Sequence, residues 1–349
     1  MRRVVLVGSE PERMTRLRRT YSSLRSLGID VSVLNPYSVP RGRPRLLTAL
    51  VRYLLIMVQL VLLRADVYHL YNVPDLIGLP LLLKRGMLVY DVRSPWFSTV
   101  RESLGGDILW RFAETVEWML TRRADYVVTA NTPLAMRARR WGARRVMVVP
   151  NYPPTSFRSR RTREEMRVQL GLGAGPVIAF VGKISRLEGS ELLKRIIGEV
   201  CRSHPEVVFL IVGDGPARAS LEQFIRSRGL TQRVRFVGWV AHSEVPDYIV
   251  AADLCLLPRL WTSFSPYTTP ENILKVNEYL ALSRPVVAPK MGGFSDASFP
   301  VIAVPPERMG QAVLDYLRDP RPFPDTERPT WQVSESRLAQ VYRELGVLA

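Results

Sequence analysis

Six short apolar runs divide the first 150 residues: RRVVLVG, IDVSVLN, ADVYHLY, GMLVYDV, ADYVVTA and RRVMVVP, each parted from the next by a longer helix-like stretch. A strand apolar at nearly every position must be covered on both faces, whereas a half-solvated strand alternates apolar with polar. Such runs separated by helices predict a parallel sheet with helices on both sides. The segment NYPPTSFRSRRTREEMRVQLG is then proline-rich and charged, as a linker would be, and the alternation restarts with PVIAFVGK, VVFLIVGDGP, RVRFVGWV, ADLCLLP and RPVVAP. At 349 residues, two α/β domains are expected, with a boundary near residue 150. Ligands of such sheets gather at the carboxyl ends of the strands, so a cleft between the two domains is the expected site.

Composition narrows the partners. The formal net charge is +17 and the pI about 10.4, which favours an anionic partner. Lysine, however, occurs only at Lys84, Lys183, Lys194, Lys275 and Lys290, so a general preference for arginine accounts for much of the charge. No nucleic-acid-binding fingerprint is present, and no nucleic-acid partner is expected. Cys201 and Cys255 are the only cysteines, in neither a metal-ligand nor a disulfide pattern. The opening MRRVVLVGSEPE breaks at Gly8-Ser9, too early for a signal-peptide core. The expected location is the cytoplasm.

The run FLIVGDGPARASLEQFIRSRGLTQRVRFVGWVAHSEVPDYIVAADLCLLP resembles glycosyltransferase family 4, the retaining enzymes of the GT-B fold. The Gly-Asp-Gly-Pro turn, the Arg-Val-x-Phe-x-Gly strand and the Ala-Ala-Asp before a strand ending in Pro follow that family's order. RRADYVVTANTPLAMRARRWGARRVMVVPNY resembles its lead-in to the second domain, with Tyr152 where the family has Gly, and TWQVSESRLAQVYRELG resembles its terminal helix. The resemblance implies an α/β chain with two doubly wound Rossmann-like domains facing a central cleft. An acceptor domain would span 1–150, a nucleotide-sugar donor domain 151–328, and a helix at 329–349 would cross back to the first domain.

Three stretches carry the implied donor site. In ENILKVNEYLALSRPVVAPKMGG, Glu278 matches the second glutamate of the family's E-x7-E pattern, which accepts from the nucleotide ribose; a carboxylate suits two vicinal hydroxyls because it only accepts. The first glutamate is displaced: Pro270 stands at its place and Glu271 follows one residue late. Lys275 fits a family sub-pattern, and a helix starting here would offer its free N–H groups to a diphosphate. On the residues alone, an amphipathic helix with a solvated first turn and a surface Lys275–Glu278 pair also fits. In VGKISRLEG, Gly182 and Lys183 match a phosphate-gripping Gly-Arg. Glu188 replaces the following Lys, leaving Arg186 as the substitute cation, since guanidinium grips phosphate in a fork. Trp239 and Val240 match backbone contacts to the base, although a half-buried structural tryptophan fits the ring equally well.

The first domain is less explicit. Gly8, Ser9 and Arg16 are the acceptor-side candidates. His69 and Asp91 are placed at strand ends, where chemistry gathers in such sheets, as the candidate catalytic pair, and Arg93 stands where many relatives have His. Residues 46–63 form an apolar stretch with Thr48, Arg52 and Gln59 on one stripe with Arg45. A spanning helix would bury Arg52, which leaves a helix packed in the protein or one resting on an anionic bilayer that holds a lipid-linked acceptor.

The resemblance therefore implies a retaining transferase that moves a sugar from a nucleoside diphosphate to a hydroxyl acceptor without cofactor or metal. The leaving diphosphate would be stabilised by Lys183, Arg186 and Lys275. The alternative is a non-catalytic subunit or binding module, which Glu188 and Pro270 favour. An epimerase would need more acid–base groups than three histidines suggest.

Overall fold

A computed structural model describes residues 2–11, 14–34, 45–72, 74–104, 107–294 and 299–348. The chain divides into two compact units, the first comprising residues 1–151, 262–267 and 331–349, the second residues 152–261 and 268–330.

In the first unit β1 (Val4–Val7), β2 (Val31–Val33), β3 (Val67–Tyr71), β4 (Met87–Val92), β5 (Tyr126–Thr129) and β6 (Val146–Val148) form one parallel sheet in the order β2-β1-β3-β4-β5-β6. Its register sets Leu6 and Val89 on either side of His69, and Tyr71 beside Asp91. Side chains alternate across a strand, so Val67, His69 and Tyr71 share a face. That face is covered by α1 (Thr15–Ser26) and the last helix of the chain, α12 (Trp331–Glu344), through Leu17, Leu24, Trp331, Leu338 and Tyr342. Specific bonds fix α12 here: Trp331 Nε1 donates to Ser23 Oγ at 3.0 Å, Ser334 Oγ to the Pro150 carbonyl at 2.8 Å.

The opposite face carries α2 (Arg45–Leu62), a 3-10 segment Asp75–Leu83, α3 (Trp96–Leu104), α4 (Asp107–Arg123) and α5 (Thr132–Arg140). α2 buries Ile56 and Leu60, while its exposed positions among the described side chains, Leu50, Leu54, Val58, Val61 and Leu62, are all apolar. The described members of the polar stripe, Thr48, Arg52 and Gln59, are half-buried, and Arg52 pairs with Glu10. Among the described residues no helix is long and apolar enough to cross a membrane.

In the second unit β7 (Val177–Val181), β8 (Val208–Val212), β9 (Val234–Gly238), β10 (Leu254–Leu256), β11 (Val286–Pro289) and β12 (Val301–Val304) form a parallel sheet in the order β12-β11-β10-β7-β8-β9. β12, a four-residue run between prolines, is not among the strands read from apolar runs. α6 (Arg163–Leu170), α9 (Val245–Val250) and α10 (Leu274–Ala281) cover one face; α7 (Ser190–Ser203), α8 (Arg218–Ser227) and α11 (Met309–Arg318) cover the other. α6 has the start and stop signals of a stable short helix: a reciprocal Thr162–Glu165 capping box at its start and a left-handed Gly171 at its end. The stretch from Glu271 does not start as a helix. Thr269 and Asn272 cap a 3-10 turn, Pro270–Asn272, and α10 begins at Leu274.

Candidate functional site

The second unit gathers most donor-side candidates at the carboxyl ends of its strands. The turn after β7 and the turn after β8 touch backbone to backbone: Gly182 N–H donates to Val212 O at 2.8 Å, and Ile184 N–H to Asp214 O at 2.9 Å. Gly213 must be glycine there, because it sits at φ +126° and an added Cβ would lie 2.0 Å from Gly182 O. Gly189, which precedes α7, is similarly constrained by the Pro258 carbonyl, 1.4 Å from an added Cβ. These contacts hold the VGKISRLEG loop against the loop after β10.

α10 is pinned to the end of β7 by Tyr279. Its hydroxyl accepts from Val181 N–H at 3.0 Å and reaches Val181 O at 3.3 Å, and burial pushes its pKa far above the usual tyrosine range. One turn earlier on α10, Lys275 therefore falls over Gly182: a Cβ on that glycine would lie 2.8 Å from the Lys275 ammonium. The ammonium also sits 5.2 Å from the Phe180 ring centre, which adds a cation–π contact.

Glu188 is not an unpaired repulsive charge. Its carboxylate accepts from Lys275 Nζ at 2.7 Å and lies 3.9 Å from Arg259. Burial works against its ionised form, but Lys275 and then Arg259, with a smaller contribution from Lys183, outweigh burial and hold its pKa below the ordinary 4.5. Lys183 and Arg186 are exposed and form no ion pair among the described residues. The loop thus presents two solvated cations beside a third, Lys275, whose charge is shared with Glu188.

Glu278 corrects the sequence reading in position and partner. It lies in the second turn of α10, is buried, and accepts from His242 Nε2 at 2.6 Å rather than pairing with Lys275. His242 follows the β9 loop and packs against Phe157 at 5.5 Å between ring centres. In that loop Trp239 is 80% exposed, so its ring is not a core side chain, while Val240 is half-buried against the core. Glu271 is partly exposed in the 3-10 turn, with the Thr269 hydroxyl 3.4 Å from its carboxylate.

The first unit treats its candidates differently. His69 is the central residue of β3 rather than a strand end, and both it and Asp91 have no accessible surface. Arg16 is also buried; its Nε donates to both Asp91 oxygens at 3.0 and 2.8 Å, and its Nη1 to Val149 O and Asn151 Oδ1 at 2.7 and 2.9 Å. His69 Nδ1 meets the Tyr342 hydroxyl at 2.8 Å, and Nε2 lies 3.5 Å from Asp91, at the limit of hydrogen-bond reach. Burial depresses the His69 pKa more than Asp91 raises it, so the ring is neutral. Burial works upward on Asp91, but Arg16 prevails and keeps it a carboxylate. Gly8 is closed in as well, with Met14 Sδ 2.7 Å from an added Cβ; Ser9 is half-buried. These residues form a buried polar tie joining α1, β3, β4 and α12. The described surface offers no route from solvent to the His69 or Asp91 side chain.

His242, Arg259 and Tyr279 were not singled out in the sequence. Tyr279 was visible inside the Glu-Tyr-Leu-Ala run; the other two lie 36 and 71 residues from the partners that give them meaning. Among the described residues no three His, Cys, Asp or Glu side chains converge as a metal site requires.

Residues 175–319, nearly all of the second unit after α6, match the family described as Glycosyl transferases group 1. An alpha-D-kanosaminyltransferase from Streptomyces kanamyceticus is 30% identical over 201 residues, 53% of this chain and 50% of that protein. The chain spans about half the length of the first such relatives it matches. The structure of a sucrose-phosphate synthase from Thermosynechococcus elongatus superposes over 100% of both chains with a TM-score of 0.78 at 18% identity. Anabaena HepE in complex with UDP superposes over 99% of this chain and 100% of its own, with a TM-score of 0.71 at 18% identity. Residues 175–319 thus form a Glycosyl transferases group 1 domain, in a chain that has the GT-B fold.

Proposed function

We propose that the chain transfers a sugar from a nucleoside diphosphate to a hydroxyl acceptor with retention of configuration, and that the second unit binds the donor. The observation that carries this reading is the placement of Lys275 by Tyr279 over the Gly182 turn, beside Lys183. A preorganised cation at a turn of exposed backbone stabilises a leaving diphosphate without reorganisation during the reaction. Lys183 and Arg186 supply the remaining positive charge. Glu278, held by His242, accepts from the ribose by exchanging or sharing that bond, and Trp239 lies against the base. The similar HepE structure contains UDP, which makes UDP the first donor nucleotide to try. No cofactor or metal is invoked.

Glu188 favours a second reading, a non-catalytic binding module, because it neutralises part of the charge a diphosphate would meet. Thermal-shift screening with UDP, GDP and ADP separates the two. A ligand at about 100 times its dissociation constant adds about 2.7 kcal/mol of stability. A shift with one nucleotide that is lost in Lys275→Ala supports the transferase. No shift with any nucleotide contradicts it.

The acceptor side is proposed to work at an anionic membrane on the cytoplasmic face. α2, the 3-10 segment's Leu83 and α4 form one layer of the first unit. Its exposed apolar side chains include Leu54, Val61, Leu83, Ile108 and Phe112. Arg101 and Arg111 flank the Trp110 ring at 5.8 and 5.7 Å, and Arg122 lies 5.1 Å from that of Trp118. An apolar face bordered by arginines and tryptophans suits the lipid interface, and α2 carries no acidic residue to oppose it.

A further inference from the structure

At the amino ends of β7, β10 and β11, opposite the donor loops, the second unit has a half-open cavity of about 350 Å³. Three guanidiniums line it, Arg163, Arg167 and Arg284, with a single carboxylate, Asp253. Asp253 is already fully used: Arg163 and Arg167 both bond to it, the latter at 2.6 Å, and Val177 N–H donates to it at 2.8 Å. One negative charge among three positive ones leaves the cavity with an excess of two. Arg163 Nε and Arg284 Nε are both shielded from solvent and have no hydrogen-bond partner among the described residues.

The rest of the lining is apolar and aromatic, chiefly Tyr316, Leu317 and Phe323. Ser283, at the exposed rim, takes the left-handed φ of +56° that ends α10: its N–H donates to Leu280 O at 3.1 Å and that of Arg284 to Tyr279 O at 3.0 Å. Burial, and then the neighbouring Arg163 and Arg167, depress the Arg284 pKa against the pull of Cys255 and Asp253. Two of the arginines, Arg163 and Arg167, pair with Asp253, whereas Arg284 donates to the Ser283 and Val250 carbonyls at 3.2 and 2.9 Å and has no carboxylate of its own.

We propose that this cavity is a second binding site, for a small phosphorylated molecule: its phosphoryl oxygens accept from Arg163 and Arg284, and its body lies against Tyr316 and Phe323. The size falls at the lower end of ligand cavities. It is separate from the donor loops, because β7 and β10 each run from this cavity towards them, Pro176 to Gly182 and Asp253 to Pro258. It therefore does not depend on the transferase reading. Occupancy would neutralise the arginines at the start of the same two strands whose far ends carry Gly182 and the Pro258 carbonyl against Gly189.

The test is a calorimetric titration of the full chain with inorganic phosphate, comparing wild type with Arg163→Gln, Ser283→Asp and Lys275→Ala. Aspartate tolerates the left-handed conformation at the exposed rim, so Ser283→Asp keeps the test valid should Arg163→Gln unfold. The expected result is binding at one site, weakened about tenfold or more in Arg163→Gln and Ser283→Asp, on the scale of a charge-assisted hydrogen bond, and unchanged in Lys275→Ala. Loss in Lys275→Ala with unchanged binding in the other two would assign phosphate to the donor loops and overturn the proposal. Absence of binding to the wild type at millimolar phosphate would overturn it equally.

Discussion

The Arg16–Asp91–His69 cluster of the first unit and the Lys275–Glu188–Arg259 cluster of the second use similar residue types to different ends. In the first, the ion pair is buried, with side-chain exposures of 3% and 0%, and each guanidinium bond runs to another element of the same unit. In the second, Lys275 and Glu188 retain 18% and 22% exposure and stand in the same loop region as two exposed cations, Lys183 and Arg186. A buried pair ties helices to a sheet; a pair at the solvent boundary can exchange its partner for a ligand. Exposure, rather than residue type, separates the structural cluster from the one proposed to bind the donor.

That contrast is open to direct attack. Asp91→Ala should have the largest effect on stability, because it leaves the Arg16 charge buried without its carboxylate, a loss of about 3–5 kcal/mol. Urea unfolding of the two proteins measures it, and a change under 1 kcal/mol would show the cluster to be solvated. Glu278→Ala should fall between structural and functional effects. Glu278 is buried against His242, so stability should drop by about 1–3 kcal/mol, and nucleotide affinity should drop as well. An unchanged unfolding midpoint with lost affinity would mean that the His242 bond is slack.

Acid should distinguish the clusters more finely. Glu188 has a folded pKa below its ordinary 4.5, so the unfolded chain binds the proton first as pH falls. Its contribution is present above about pH 4.5 and is lost as pH falls through the folded value. Asp91, lowered from 3.8, behaves in the same sense at lower pH. Glu188→Gln should therefore flatten the stability profile just below pH 4.5 and leave the Asp91 part of the slope. Equal slopes in both proteins would mean that Lys275 does not hold Glu188.

The smallest effect concerns the α2 layer. Leu54→Glu should leave the unfolding midpoint nearly unchanged, because Leu54 is 62% exposed, while reducing co-sedimentation with anionic vesicles. Unaltered vesicle binding would exclude α2 from the interface.

Much of the fold was legible because it rests on local pattern. Continuous apolar runs such as VIAFV between turn signals read as central strands, and the Gly-Asp-Gly-Pro turn, the Arg-Val-x-Phe-x-Gly strand and the Ala-Ala-Asp run carried the family resemblance together. Of the candidate site, local motifs pointed only to residues whose expected role follows from their own position, Gly182, Lys183 and Lys275. Arg16 and Asp91 are 75 residues apart, and Lys275 and Glu188 are 87 apart, so their partners were set by chain topology that no local pattern encodes. The helix start was misread for a local reason: Pro270 opens a 3-10 turn whose Thr269–Asn272 cap delays α10 to Leu274, and Glu278, five residues in, lies buried in its second turn.

The most direct measurement is a titration of UDP into wild type, Lys275→Ala and Glu188→Gln. If the second unit holds a donor diphosphate at Lys275, the wild type binds, Lys275→Ala loses about tenfold or more in affinity, and Glu188→Gln binds at least as well as the wild type because the freed ammonium faces the phosphate. Equal affinity in wild type and Lys275→Ala would contradict the placement of the donor at this turn.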